Sequence, residues 1–121
     1  MQTFDYEQTG VKYKDCYFDV KKCYNNKLNI SMYGYINNDK NVSHIFNVTV
    51  STEQKLPYNC VVVDNYCDRK LVDFLTRLGV VKQIVSRAVV KLILLPVVEL
   101  NLDMLRMYTW DYEDILCRKG A

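Results

Sequence analysis

The side chains able to do chemistry are few in this sequence, and their spacing suits none of the common reactions. The single histidine, His44, stands in the alternating run His44-Ile45-Phe46. A lone histidine in a strand serves structure or faces water. One imidazole cannot build a histidine-rich metal site, and neither a Ser-His-Asp nor a Cys-His-Asp set has a local signature. Cys16 and Cys23 are seven positions apart, as are Cys60 and Cys67, with Cys117 left over. Zinc knuckles bring two ligands together across about two to four intervening residues. Seven positions along a strand set two thiols on opposite faces. The odd count, in a chain with no export signal, also argues against a disulfide framework, so the cysteines read as small hydrophobes. Gly10, Gly34, Gly79 and Gly120 are scattered and form no phosphate-cradling loop. The expectation is a protein that is not an enzyme and takes no metal and no cofactor.

Binding chemistry is better represented. Tyr13, Tyr17, Tyr24, Tyr33 and Tyr35 interleave with Lys12, Lys14, Lys21, Lys22 and Lys27. Aromatic faces stack bases and lysines hold phosphates, so this pattern suits single-stranded nucleic acid. The bland reading is as physical, since tyrosines on a solvated sheet face pack across strands and edge lysines discourage aggregation. Near the C-terminus Met104, Met107, Tyr108, Trp110 and Tyr112 stand among Asp103, Asp111, Glu113 and Asp114. Tyr, Trp and Met supply contact area at protein interfaces, and the acids would meet a basic partner surface or a second copy of the chain. The candidate binding residues are therefore Tyr33, Tyr35, Met107, Tyr108, Trp110, Asp111, Tyr112, Glu113 and Asp114.

The elements that must carry these side chains begin with strands. Over residues 11–24 the alternation sends Cys16, Phe18 and Val20 to one face and Tyr17, Asp19 and Lys21 to the other, with Tyr13 on the face of Tyr17. Asn25-Asn26-Lys27 is a turn signal, and a second strand over 28–36 turns Leu28, Ile30, Met32, Gly34 and Ile36 inward. After the polar stretch 37–41, His44, Phe46, Val48 and Val50 alternate against Ile45, Asn47, Thr49 and Ser51 as a third strand in a meander. A loop through Leu56-Pro57 leads to the β-branched run 60–63. Asp68 is placed as an N-cap for a helix in which Leu71, Phe74, Leu75 and Leu78 recur at helical spacing, and Gly79 stops it. Residues 80–100 are rich in Val, Ile and Leu and are divided by Pro96, which predicts one or two further strands. A short helix or turn and an aromatic-acidic tail follow over 102–117. The sum is an α+β fold: one antiparallel sheet of about five strands, one packed helix and a short C-terminal helix, in a single domain over residues 1–121.

Composition fits such a domain, with half of the residues apolar and a quarter charged. The formal charge of +2 neither recruits nucleic acid strongly nor imitates its acidity. The first ten residues carry Asp5 and Glu7 and lack the apolar core of a secretory signal, so a cytoplasmic location is expected. The longest apolar run, 89–98, is broken by Lys91 and Pro96 and falls far short of the roughly 20 residues that span a bilayer, so no membrane partner is expected. The sequons at Asn29, Asn41 and Asn47 read as chance in an Asn-rich chain.

The order of short signatures also carries a resemblance. Tyr24-Asn25-Asn26-Lys27-Leu28, Asn47-Val48-Thr49-Val50, Leu56-Pro57 with Asn59, Val63-Asp64-Asn65, Phe74-Leu75 with Leu78-Gly79-Val80, then Leu95-Pro96-Val97 and Leu100 follow one another between Tyr13 and Tyr108. In this the chain resembles a family of small uncharacterised proteins, a domain of unknown function, carried by conjugative elements and prophages of bacteria. It departs from that pattern at Ser86-Arg87-Ala88 and in the apolar stretch 89–95. The resemblance implies a home in a mobile element of a bacterial host cell and carries over no catalytic residue. Small proteins of that setting without an enzyme motif are similar to anti-CRISPR counter-defence proteins. The expected function is a non-enzymatic inhibitor, possible as a homodimer, that binds and blocks a host defence protein such as a CRISPR effector. The alternative is a single-stranded nucleic-acid binder that uses the Tyr/Lys strands.

Overall fold

Where apolar and polar residues alternate in this chain, strands form, and their buried sides meet in one shared core. The computed structural model describes residues 1–22, 27–37, 39–66 and 68–110. The first strand, β1 (Phe4–Gln8), turns through Thr9 and Gly10, both left-handed (φ 52° and 79°), into the long β2 (Val11–Lys22). That pair of left-handed residues matches the twist of a tight hairpin. β3 (Leu28–Ile36) and β4 (Ser43–Asn47) complete an antiparallel sheet in the order β1-β2-β3-β4. β5 (Thr49–Val50) and β6 (Cys60–Val63) open a second sheet, and α1 (Leu71–Leu78) follows. β7 (Val81–Val90) and β8 (Ile93–Leu100) then complete this second sheet in the order β5-β6-β8-β7. Finally α2 (Leu102–Met107) leads to β9 (Thr109–Trp110), which returns to the first sheet and pairs parallel with β2.

The α+β expectation is thus corrected. The described chain is mostly β, 55% strand against 13% helical, in two sheets with two short helices. The reason lies at Val48. The expected third strand is broken there: β4 stays on β3, whereas β5 pairs with β6, so consecutive residues serve different sheets. Val48 is buried, and its backbone ties the sheets, its N–H donating to Ile30 O at 2.8 Å and its carbonyl accepting from Asp64 N at 2.9 Å.

Other boundaries also shift. Pro96 does not divide the segment 80–100; the chain turns at Lys91-Leu92 instead, and Pro96 lies inside β8 opposite Arg87. A proline is tolerated there because the pairing of β6 with β8 covers only Val97, Val98 and Glu99. Asp68 does not cap α1. Its carboxylate accepts from Lys70 N at 3.0 Å in the turn before the helix, and Lys70 occupies the cap position. Gly79 ends α1 as expected, left-handed at φ 89°. Asn25 and Asn26 of the expected turn, and Asn38 of the next one, lie outside the described residues, as do Cys23, Cys67 and the tail from Asp111 onward.

The core draws on both sheets. Phe18, Val20, Ile30 and Met32 of the first sheet join Val61, Val63, Val98 and Leu100 of the second, and Leu71, Leu75 and Leu105 of the helices close the cluster. A smaller cluster on the far side of the second sheet holds Cys60, Val62, Ala88, Leu95 and Val97 under Leu56. Such burial of large apolar side chains, about 1.5–3 kcal/mol each, is the main stabilising term.

Candidate functional site

The first sheet has one face in the core and one outside, and pairing registers decide which side chains share the outer one. Phe18 is fully buried and pairs with Met32, so their neighbours Tyr17, Asp19, Ser31 and Tyr33 point away. Tyr17 lies opposite Tyr33, and Tyr33 opposite His44. The Tyr17 and Tyr33 rings are 5.9 Å apart and nearly parallel, and His44 meets Tyr33 edge-on at 5.2 Å. Burial, then the neighbouring Tyr35 and Tyr33 hydroxyls and Asp19, push the Tyr17 hydroxyl pKa up.

The next row along the strands is polar. Ser31 Oγ donates to Asn47 Oδ1 at 3.0 Å, and His44 Nε2 lies 3.0 Å from the same oxygen. Asp19 stands beside Ser31, and on its other side β9 brings Trp110, whose register partner is Asp19. Thr109 is buried beside Phe18 while Trp110 is 57% exposed, so the indole joins the outer face. Beyond the tyrosines, Lys14 pairs with Tyr35; on the opposite flank Lys21 pairs with Asn29 and lies 3.8 Å from Asp19.

The sequence candidates are therefore divided. Tyr33, Tyr35 and Trp110 share the outer surface of the first sheet, although in sequence Trp110 neighbours the acidic residues of the tail. Tyr13 leaves that surface: a bulge at Asp15, left-handed at φ 51°, shifts the register between Lys14 and Tyr17 and packs Tyr13 beside Tyr6 at 6.4 Å. Tyr108 also turns inward, edge-on to Phe4 at 5.6 Å, and belongs to the core margin. Met107 is exposed, with its carbonyl accepting from Gln2 N at 2.6 Å. Asp111, Tyr112, Glu113 and Asp114 lie outside the described residues.

Polar residues complete what the sequence reading missed. Ser31, Asn47 and His44 form a hydrogen-bonded ladder beside the aromatics, and only the strand register reveals it. Among the described residues no cluster of His, Cys, Asp or Glu is arranged to hold a metal ion, and no helix is long and apolar enough to cross a membrane. Cys16 is buried beneath Gly34, and its thiol pKa is pushed up to about 12 by burial, with Asp5 adding to the effect. A thiol so held is protonated and inert as a nucleophile at neutral pH. Cys60, also buried, is raised by burial and by Glu99. The outer face thus combines the aromatic Tyr17, Tyr33, Tyr35 and Trp110 with the polar Ser31, Asn47, His44 and Asp19. No family model matches the chain, and neither a curated protein nor a solved structure does.

Proposed function

We propose that this chain is a non-enzymatic binding protein that holds a partner protein against the outer face of its first sheet. The observation that carries the reading is the composition of that face: Tyr17, Tyr33, Tyr35 and Trp110 beside Ser31, Asn47 and His44. Tyr and Trp offer large, rigid contact area at small entropic cost, and Ser and Asn adapt their hydrogen bonds, the mixture that binding loops of antibodies use. Charges on the face are few, Lys14 and Lys21 against Asp19, so complementarity of shape and hydrogen bonding supports recognition more than net charge does. The resemblance to small proteins of mobile elements suggests the class of partner, a host defence protein that is blocked when its own surface is covered.

A second reading, single-stranded nucleic acid, draws on Lys14 and Lys21 at the two flanks of the aromatics. It ranks lower because Tyr17 and Tyr33 already stack on each other and Asp19 sits between Trp110 and Ser31, where a phosphate would be repelled.

The test is capture of partners by the tagged full chain from a defence-competent bacterial lysate, with and without nuclease. Wild type and a Tyr33→Ala/Trp110→Ala variant are compared. A stoichiometric protein partner that survives nuclease and is lost with the variant is the expected result, since truncating a central Trp typically costs about 2 kcal/mol or more, roughly 30-fold in Kd. Capture that disappears with nuclease favours the nucleic-acid reading. A partner retained by the variant overturns the assignment of the face.

A further inference from the structure

The β7–β8 hairpin carries a feature that folding alone does not explain. Its turn residues, Lys91 and Leu92, are both left-handed (φ 49° and 69°), positions that favour Asn, Asp or Gly. Leucine is strained there, and the side chain is 98% exposed, so the protomer gains neither backbone ease nor burial from it. Behind the tip, Val89 (66% exposed) pairs with Leu94 (61%), extending the apolar surface along one face of the hairpin. Beside this face Tyr66, Arg69, Ile84, Arg87 and Leu94 line one cleft, and among the described residues no acidic one lines it.

We propose that this hairpin tip docks peripherally on an anionic membrane surface. The layering supports it. Strands rise about 3.3 Å per residue, so Arg87 lies roughly 10 Å or a little more behind Leu92 along β7. Interfacial segments sink about 5–10 Å into the headgroup and acyl boundary. Leu92, Val89 and Leu94 then occupy the apolar depth, while Arg87, Arg69 and the Tyr66 ring lie at headgroup level, and Lys91 reaches back to it along its alkyl stem. The sign of the charge selects the occupant. A second copy packed tip to tip would bring two sets of Arg69, Arg87 and Lys91 close together, whereas an anionic lipid surface neutralises them. Asp64 lines another cleft with Lys21, Ser31, Asn47, Val90 and Lys91, on the side of the hairpin that borders the first sheet, and Lys21 there is already paired with Asp19 at 3.8 Å. The expectation of no membrane partner rested on the want of a spanning segment, and a hairpin tip needs none. The tip residues Leu92, Val89 and Leu94 are not part of the Tyr/Trp face, although Val90 and Lys91 share a cleft with its Ser31 and Asn47, and the vesicle and capture experiments test the two readings separately.

The test is co-sedimentation of the full chain with vesicles of phosphatidylcholine alone and of phosphatidylcholine with phosphatidylserine, alongside its mass in solution. Leu92→Asn is the informative variant, because Asn suits the left-handed turn and so preserves the fold. Binding is expected on the phosphatidylserine vesicles, to fall about fivefold in Arg87→Gln and with added salt, and to be lost in Leu92→Asn. Binding to neither vesicle, or binding unchanged in Leu92→Asn, overturns the proposal. So does a wild-type dimer that Leu92→Asn converts to monomer, since a second copy would then cover the tip.

Discussion

Gly34 shows how closely single residues are fitted behind the binding face. A Cβ at that position would lie 2.6 Å from Cys16 Sγ, 3.0 Å from Ile45 Cδ1 and 3.3 Å from the Lys14 carbonyl. Gly34→Ala is therefore expected to destabilise by about 1–3 kcal/mol, the usual cost of overpacking, as read by the urea midpoint. Removing the thiol makes room, so Gly34→Ala should cost measurably less in a Cys16→Ala background; equal cost in both backgrounds would show that the clash is not with sulfur. The sequence already marks Gly34, Cys16 and Phe18 as inward by their period of two. It could not mark Tyr13 as misplaced, because the bulge at Asp15 resets the parity of β2 and only the pairing with β3 exposes it. Tyr33 and Tyr35 were legible as outward-facing for the same reason that Met32 was legible as core. Their company was not: Trp110 reaches them through a parallel pairing between residues about ninety positions apart in sequence, which no local pattern encodes.

At the scale of elements, local signals worked where one residue type answers one backbone demand. Gly79 ends α1 because it accepts the left-handed cap, and the strands β2 and β3 follow from clean alternation. They failed where a strand is short or serves two sheets, as at Val48, and at β1, whose five residues precede an unremarked Thr9-Gly10 turn. Pro96 misled because its usual meaning presumes a partner strand on both sides. α2 offers a sharper test of how an element positions the site. Its N-cap, Asn101, accepts from Met104 N at 3.2 Å, and the short helix then delivers Thr109 and Trp110 to β2. Asn101→Ala removes that bond and is expected to cost about 1 kcal/mol. Trp110 is the only tryptophan, so its fluorescence reports the consequence directly. Its emission should shift and its quenching by iodide should rise in Asn101→Ala while the far-ultraviolet circular dichroism of the sheets is retained. Unchanged emission would mean that β9 is held without the cap.

For the whole molecule, burial gives thiols and hydroxyls in both clusters pH responses of one sign. Burial raises the Cys16 thiol to about 12, and it raises the hydroxyl of Tyr6, which also donates to the Asp68 carboxylate. Tyr58 and Cys60 are raised in the same direction by burial. Each is an acid that is neutral when protonated, so the folded state holds its proton more tightly than the unfolded chain does. Below the unfolded values, near 8.5 for Cys and 10 for Tyr, both states are protonated and the stabilisation is fully present. As pH rises past those values the unfolded chain releases protons that the folded one keeps, and stability falls. Each such group contributes about 1.4 kcal/mol per pH unit between its two values. The urea midpoint is expected to be level from neutral pH to about 8.5 and to decline beyond it, more steeply once the tyrosines join. Cys16→Ala lowers the midpoint everywhere by loss of packing, but should flatten the first part of the decline, and that change of slope separates the titration from the cavity. A midpoint that stays level to pH 11, or a slope indifferent to Cys16→Ala, would mean that these groups are open to water, which a core joining Phe18 and Met32 to Val63 and Val98 does not permit.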